Sequence, residues 1–326
     1  MIYDNHNRPI TYVRLAVTDR CNLRCFYCMP EEGIKYLPKR QILTFEEMER
    51  VVGVLVSLGV QKVRITGGEP FVRSGLMGFM HQLSRLPGLN DISITTNGVL
   101  TGPHITAMAA LGIKSVNLSL DTLDRERFRQ VTRRDDLPAV LKTLDGLLAA
   151  GIQTKINAVV MEGQNTQDIG PLVDLTRTLP VDVRFIEEMP FNGEGSHYPK
   201  LHWTHQRILN EIRAHYPTVQ KRMDAPFSTS TGYQIPGHQG QIGVIAAFSR
   251  TFCGTCNRIR LTAQGTLKTC LYDEGVLDVR ALLRNGASDQ ELTAAFRQAF
   301  SHRPVNGFEA ERNRATLAES MATIGG

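Results

Sequence analysis

The chain has 326 residues, of which 42% are hydrophobic and 21% charged, as in soluble globular proteins. No apolar run approaches the ~18 residues that a membrane helix needs, and the first ten residues lack the features of an export signal. The net charge of +5 does not by itself indicate nucleic-acid binding, although it suits an anionic ligand. We therefore expect a cytoplasmic protein with neither a membrane nor a nucleic-acid partner.

Short β-rich segments alternate with helical patterns in the first part of the chain. The segments are YVRLAV, QKVRIT, DISIT, KSVNLSL, QTKINAVV and VDVRFIE, which begin at residues 12, 61, 91, 114, 153 and 181. Between them, Thr44 and Glu47 form a capping-box pattern for a helix that ends near Gly59, and TGPHITAMAALG predicts a second helix. This alternation predicts an α/β protein with a parallel sheet, and six units predict a partial (βα)6 TIM-type barrel.

The pattern changes after Trp203. One helical segment, WTHQRILNEIRAHY, is followed by a glycine- and serine-rich stretch and then by hairpin-like strands. A last helix opens with a capping-box pattern at Ser288 and Glu291. We expect a barrel domain over 1–230 and a C-terminal extension over 231–326, with a soft boundary near residues 225–240.

Each predicted strand has one apolar face and one largely polar face, because side chains alternate along a strand. Parallel barrel strands are usually apolar on both faces, since helices cover the outside and side chains fill the inside. A polar inside predicts a lumen that holds a large anionic ligand, given its basic residues Arg14, Arg64, Lys155 and Arg184. The alternative is a sheet with one face in solvent, which the helical connections argue against.

The six cysteines form two triplets of equal size. Cys21, Cys25 and Cys28 have the spacing C-x-x-x-C-x-x-C, and the second triplet has the spacing C-x-x-C-x13-C, at Cys253, Cys256 and Cys270. Reduced thiols in the cytoplasm are expected to be ligands or catalysts. Three thiolates can hold three corners of a [4Fe-4S] cluster and leave one iron open. Structural zinc is the alternative, but it usually has four ligands, and neither triplet has a histidine at finger-like spacing.

The first triplet, with Tyr27 before its last cysteine and a predicted strand ahead of it, resembles the radical S-adenosylmethionine (SAM) superfamily. The GGEP segment at 67–70, behind the second strand, is similar to that superfamily's contact for the SAM amino group. The resemblance implies that the open iron binds SAM and that the reduced cluster cleaves it to a 5′-deoxyadenosyl radical. It also implies SAM contacts at Tyr27, Gly68, Ser119 and Met189; without it, Met189 would be a packing residue.

The second triplet narrows the resemblance to the molybdenum-cofactor GTP 3′,8-cyclases. This implies two [4Fe-4S] clusters, the second of which binds the guanine of GTP. The implied substrate contacts are Arg14, Arg64, Thr95, Lys155, Arg258 and Arg260. Catalytic roles are implied for Arg14, Arg258 and Arg260, and for a tail, Gly325 and Gly326, that enters the active site. On pattern alone, the two arginines after Cys256 could be surface residues of a hairpin, and the tail could be a frayed end.

The implied reaction removes a hydrogen atom from ribose C3′ and joins that carbon to guanine C8, which gives 3′,8-cyclo-7,8-dihydro-GTP. An external reductant would supply electrons, and cyclic pyranopterin monophosphate synthase would receive the product. We expect a monomer or a homodimer. A peptide-modifying radical SAM enzyme is one rival, although its extension usually carries more cysteines. A zinc or iron–sulfur RNA-binding protein is the other, and it would need neither the polar lumen nor GGEP.

Overall fold

The computed structural model describes residues 1–193, 200–314 and 319–325. In these ranges one sheet contains the strands β1 Tyr12–Ala16, β2 Lys62–Thr66, β3 Asp91–Thr96, β4 Ser115–Ser119, β5 Gln153–Val160, β6 Asp182–Glu187, β7 Gln220–Lys221, β8 Ser230–Gln234, β9 Gln241–Ile245, β10 Arg258–Leu261, β11 Thr266–Lys268 and β12 Leu277–Asp278. The helices are α1 Phe45–Ser57, α2 Leu76–Ser84, α3 Ile105–Ala110, α4 Arg125–Thr132, α5 Leu137–Ala149, α6 Ile169–Thr178, α7 His205–His215, α8 Val279–Arg284, α9 Asp289–Phe300, α10 Gly307–Arg312 and α11 Met321–Ile324.

The first six strands are parallel neighbours in chain order, which confirms the predicted barrel strands. Both predicted capping boxes are present: Thr44 begins α1, and Ser288 begins α9. Their side chains accept from the third residue of each helix, while that residue's carboxylate accepts from the cap. Local sequence signals thus determine where these helices begin.

Strands from the later part of the chain extend both edges of the partial barrel. β10 pairs parallel with β1, and β9 pairs parallel with β6; antiparallel neighbours continue the sheet on each side. The sequence predicted hairpins here but not this pairing. Residues 246–257 connect β9 to β10, so they run from one edge of the barrel to the other. The division at residue 230 stays a prediction.

The apolar faces of the strands point outward into two cores. One packs β1–β3 and β10 against α1, α2 and α9, and the other packs β4–β6 against α5, α6 and α7. Val13, Leu15 and Val63 of the first core have no exposed surface. The alternating polar residues consequently point into the barrel. In the described ranges, no helix is long and apolar enough to cross a membrane.

Candidate active site

A cavity of ≈ 560 Å³ occupies the barrel interior, which is a usual size for a small-molecule site. The predicted site residues that line it are Arg14, Cys21, Cys25, Tyr27, Cys28, Arg64, Gly68, Thr95, Ser119, Lys155, Met189, Cys253, Cys256, Arg258, Arg260 and Cys270. The predicted polar lumen is therefore confirmed, and both cysteine triplets open onto it. Gly326 lies outside the described residues.

The first triplet lies in the loop after β1. Cys28 N donates to Cys25 O at 2.9 Å, which closes a turn, and Asn97 Nδ2 lies 3.7 Å from Cys21 Sγ. Burial raises the pKa of Cys21 to about 11 and that of Cys28 to about 12. Such thiolates need a positive partner, and a bound iron cluster would supply that charge. The thiols are free, so this donor set fits a cluster.

The GGEP turn packs closely against the loop of the first triplet. Gly68 N donates to Thr18 O at 2.9 Å, and a Cβ at Gly68 would lie 2.3 Å from Arg20 O. The buried Glu69 carboxylate accepts from Asn97 N at 2.7 Å, and burial raises its pKa to about 7. The turn therefore joins the ends of β1, β2 and β3 around the triplet. A side chain at position 68 would prevent this close packing, so the turn needs glycine here independently of any contact with SAM.

The side chain of Tyr27 is oriented by Asp121, which follows β4. Its hydroxyl donates to Asp121 Oδ2 at 2.9 Å, and Asp121 Oδ1 accepts from Val159 N at 2.8 Å. Burial raises the pKa of Asp121 to about 6. The Asp121 carboxylate, two residues after Ser119, thus holds the ring of Tyr27 beside the cysteines. Asp121 follows β4 and has the same strand parity as Ser119, but its contact with Tyr27 depends on the fold.

The second triplet lies on the connection from β9 and on the hairpin of β10 and β11. Cys253 begins a short 3₁₀ turn, Cys256 precedes β10, and Cys270 follows β11. Burial raises the pKa of Cys270 to about 12. Burial also opposes ionisation of Cys256, but the charges of Arg303 and Arg258 outweigh it and lower the pKa. No three His, Cys, Asp or Glu side chains in the described ranges surround a single-ion site.

Positive charge is concentrated between the two triplets. The strand register places Arg64, Arg14 and Arg260 side by side on β2, β1 and β10. Tyr12 follows in the next row, and Arg258 lies over its ring at 5.4 Å. Like charges on adjacent strands repel, and burial adds to the cost, so this wall is suited to an anion.

Several buried polar atoms in the cavity wall have no hydrogen-bond partner among the described residues. They include Thr95 Oγ1, Asn117 Oδ1, Asn157 Oδ1 and Arg258 Nη1. Native proteins leave few buried polar groups unpaired, so these atoms fit a polar ligand. Arg184 also lines the cavity, but Asp182 Oδ2 lies 2.6 Å from its Nη2 and neutralises part of its charge.

The C-terminal tail enters the same space. Ser320 Oγ donates to Cys28 O at 2.6 Å, and Arg260 Nη1 donates to Gly325 O at 2.7 Å. Gly325 has φ +84°, and a Cβ there would lie 2.9 Å from Ala16 Cβ. The described end of the tail therefore lies against β1, where only glycine fits.

Sequence reasoning missed several residues of the site, among them Tyr12 and Arg303. Tyr12 lines the cavity, and its position two residues before Arg14 on the same strand was an available signal. Arg303 reaches Cys256 Sγ at 3.3 Å, and no sequence pattern marks it.

Two family descriptions match the chain over adjacent ranges. "Radical SAM superfamily" matches residues 15–176, and "Molybdenum Cofactor Synthesis C" matches residues 181–308. The structure of Streptococcus suis SuiB bound to precursor peptide SuiA is similar, with a TM-score of 0.64 at 15% identity. That match covers 92% of this chain and 67% of SuiB, and shows the fold alone. The matches define a radical SAM protein with a partial barrel.

Relatives with higher identity identify the family. A "GTP 3′,8-cyclase" of Pelotomaculum thermopropionicum is 39% identical, with 99% of each chain covered. "Molybdenum cofactor biosynthesis protein 1" of Drosophila melanogaster is 41% identical over 88% of this chain and 51% of its own length. The chain spans about half the length of the animal relatives that it matches. It belongs to the GTP 3′,8-cyclase family of molybdenum cofactor biosynthesis.

Proposed function

We propose that this chain converts GTP to 3′,8-cyclo-7,8-dihydro-GTP in a SAM-dependent radical reaction with two [4Fe-4S] clusters. The observation that carries the proposal is that both cysteine triplets and a wall of arginines line one cavity. Family membership supports it, because the Pelotomaculum relative is named for this reaction.

The first triplet and its surroundings would hold the radical-generating cofactors. Cys21, Cys25 and Cys28 would bind one cluster, and SAM would contact Tyr27, Gly68, Ser119 and Met189. When bound, the reduced cluster and SAM supply a 5′-deoxyadenosyl radical that can take a hydrogen atom from the substrate. With its ligands bound, the cavity would shield the reacting atoms from water.

The second triplet and the arginine wall would hold GTP between them. Cys253, Cys256 and Cys270 would bind the second cluster, beside which the guanine would lie. The triphosphate would contact basic side chains and Thr95, and those basic residues are Arg14, Arg64, Lys155, Arg258 and Arg260. Arginine suits this role because its planar fork donates paired, charge-assisted hydrogen bonds to phosphate oxygens. Arg14, Arg258, Arg260 and the Gly325–Gly326 tail are the proposed catalytic groups.

The biological setting stays a prediction. The electrons would come from an external reductant, and the product would pass to cyclic pyranopterin monophosphate synthase. A cytoplasmic location, a monomeric or homodimeric state and the domain division at residue 230 are likewise predictions from the sequence.

The test is anaerobic reconstitution followed by metal and product analysis. We expect about eight irons per chain, as for two cubane clusters. With SAM and dithionite, GTP should yield 5′-deoxyadenosine and a cyclised nucleotide by mass spectrometry, whereas guanosine, which lacks the triphosphate, should react poorly. Zinc in place of iron would support the RNA-binding rival. SAM cleavage coupled to a peptide and not to GTP would support the peptide-modifying rival.

A further inference from the structure

Arg303 follows α9 and lies in the second cysteine site, with its side chain only 3% exposed. A guanidinium has five N–H donors, and each one has an acceptor here. The acceptors are Thr269 O at 2.9 Å, Asp4 Oδ2 at 3.2 Å, Cys256 O at 2.9 Å, Arg258 O at 2.7 Å and Cys256 Sγ at 3.3 Å. This side chain therefore spans the two strand ends that carry Cys256 and Cys270.

Asp4 joins Arg303 to a second buried arginine, Arg8. The fully buried Asp4 carboxylate lies 2.7 Å from Arg8 Nε, and Arg8 Nη1 donates to Cys253 O at 3.1 Å. The pair of arginines thus contacts the backbone beside every cysteine of the second triplet. The two cations share one carboxylate, so the group carries net positive charge.

The first triplet has no comparable charged donor to sulfur among the described residues. Cys21 Sγ receives only the neutral Asn97 amide and the main-chain N–H of Leu23, at 3.7 and 3.4 Å. Hydrogen bonds to the sulfurs and nearby charge are among the factors that set the potential of an iron–sulfur cluster. Because reduction adds negative charge, a cationic donor favours the reduced state.

We propose that Arg303 is a positioning residue that holds the Cys256 thiolate by an N–H···S hydrogen bond and makes the second cluster easier to reduce. The inference rests on the proposed second cluster. A purely structural role would brace the two strands without affecting the cluster's potential or spectrum.

The test uses the full chain with Cys21, Cys25 and Cys28 replaced by alanine, so that the second cluster is observed alone. Into this background we introduce Arg303→Lys, which keeps the charge, and Arg303→Gln, which keeps N–H donors but not the charge. Arg297→Gln is the control, because Arg297 is exposed on α9. Iron content, circular dichroism and a dithionite titration followed by electron paramagnetic resonance are measured on each protein.

Arg303→Gln should retain the fold and shift the midpoint potential to a more negative value, with an altered resonance spectrum. Arg303→Lys should lie between it and the unsubstituted background, and Arg297→Gln should match that background. A background midpoint in Arg303→Gln, or loss of iron from either Arg303 variant, would overturn the effect on the potential. Absence of iron from the background protein itself would refute the second cluster, and with it the proposed function.

Discussion

Arg260 Nη1 donates a hydrogen bond to the main-chain oxygen of Gly325 at 2.7 Å. Arg260 lies on the hairpin of the second triplet, and Gly325 lies near the end of the chain. One bond therefore joins two features for which the family resemblance implies a role in the reaction. Because the acceptor is a backbone atom, the position of the tail depends on the conformation of Gly325 and on the space around it.

Deleting Gly325 and Gly326 should leave the iron content and GTP affinity near normal. Product formation should fall about 10- to 100-fold, as expected for the loss of a charge-assisted hydrogen bond of about 1.5–3 kcal/mol. A peptide ending in ATIGG, added in trans, should restore part of the activity. Anaerobic product assays with and without the peptide measure this, and full activity in the deletion would show that the tail is a frayed end.

Gly325→Ala should also reduce product formation, because the added Cβ would crowd Ala16 on β1. Its control is Gly286→Ala: both glycines have positive φ, +84° and +81°, but nothing lies within 4 Å of a Cβ at Gly286. If the two variants lose the same activity, strain in a left-handed residue and not crowding in the barrel would explain the effect.

The two cysteine triplets should be separable by mutation. Replacing Cys253, Cys256 and Cys270 by alanine should leave some uncoupled SAM cleavage but no cyclised product, because the first triplet faces the GGEP turn. Replacing Cys21, Cys25 and Cys28 should abolish SAM cleavage. 5′-Deoxyadenosine and cyclised nucleotide are measured side by side, and cyclisation by the first variant would refute the role assigned to the second triplet.

Arg258 and Arg260 should act through the substrate and not through the fold. The double alanine variant should retain iron and SAM affinity while its GTP affinity falls about 10- to 100-fold, from lost charge-assisted hydrogen bonds. The control is Arg125→Ala, which removes an exposed ion pair with Asp135, and neither of these residues lines the cavity. Calorimetry with GTP measures the effect. Unchanged affinity and turnover would make these arginines ordinary hairpin residues.

GTP binding should weaken as the pH rises through about 8. Burial and the neighbouring Arg184 lower the pKa of Lys155 to about 8, so above this pH the free protein loses a positive charge from the cavity wall. Asp182, Arg64 and Lys62 also act on this lysine and do not cancel the shift. The charge needed for triphosphate binding is therefore present below pH 8 and lost above it.

Ionisation of Tyr12 would also weaken GTP binding as the pH rises. The effect of Lys155 is therefore measured in a protein in which Tyr12 is replaced. Burial opposes its ionisation, but Arg64, Arg14 and Arg258 outweigh burial and lower its pKa to about 7. We therefore compare Tyr12→Phe with the Tyr12→Phe/Lys155→Gln double variant between pH 7 and pH 9. The single variant should lose affinity over this range and the double variant should not; equal slopes would contradict the assignment.

Glu187→Gln should destabilise the fold by about 1–3 kcal/mol, because it disrupts a buried acceptor. The Glu187 carboxylate accepts from Phe248 N, Ser249 N and Ser249 Oγ at 2.7–3.0 Å, and from His205 N at 2.7 Å. It thereby attaches the connection that leads to Cys253. Urea unfolding of the apo protein measures the loss, with Glu211→Gln on α7 as control, because that side chain is partly exposed. Equal free energies of unfolding for Glu187→Gln and its control would mean that the Glu187 carboxylate is not needed for stability.

The sequence predicted the features that depend on neighbouring residues. Strand alternation placed Arg14, Arg64 and Lys155 in the lumen, and the capping boxes fixed the starts of α1 and α9. The sequence could not predict that β9 and β10 extend opposite edges of the barrel, because pairing between strands that are distant in the chain leaves no local signal. Arg303 was missed for the same reason, since its contacts with Cys256 exist only after the two segments meet.

The sheet topology has a consequence for synthesis on the ribosome. Thr11, beside β1, and Asn257, beside β10, are 246 residues apart in the chain, yet their side chains are 2.8 Å apart in the fold. At about 5–20 residues per second, β1 emerges on the order of ten seconds or more before the strand that covers its edge. During that interval the nascent barrel exposes unpaired main-chain groups, which can pair with other chains. The emergence of β10, and not that of the sixth strand, is therefore the point at which this edge of the barrel becomes covered.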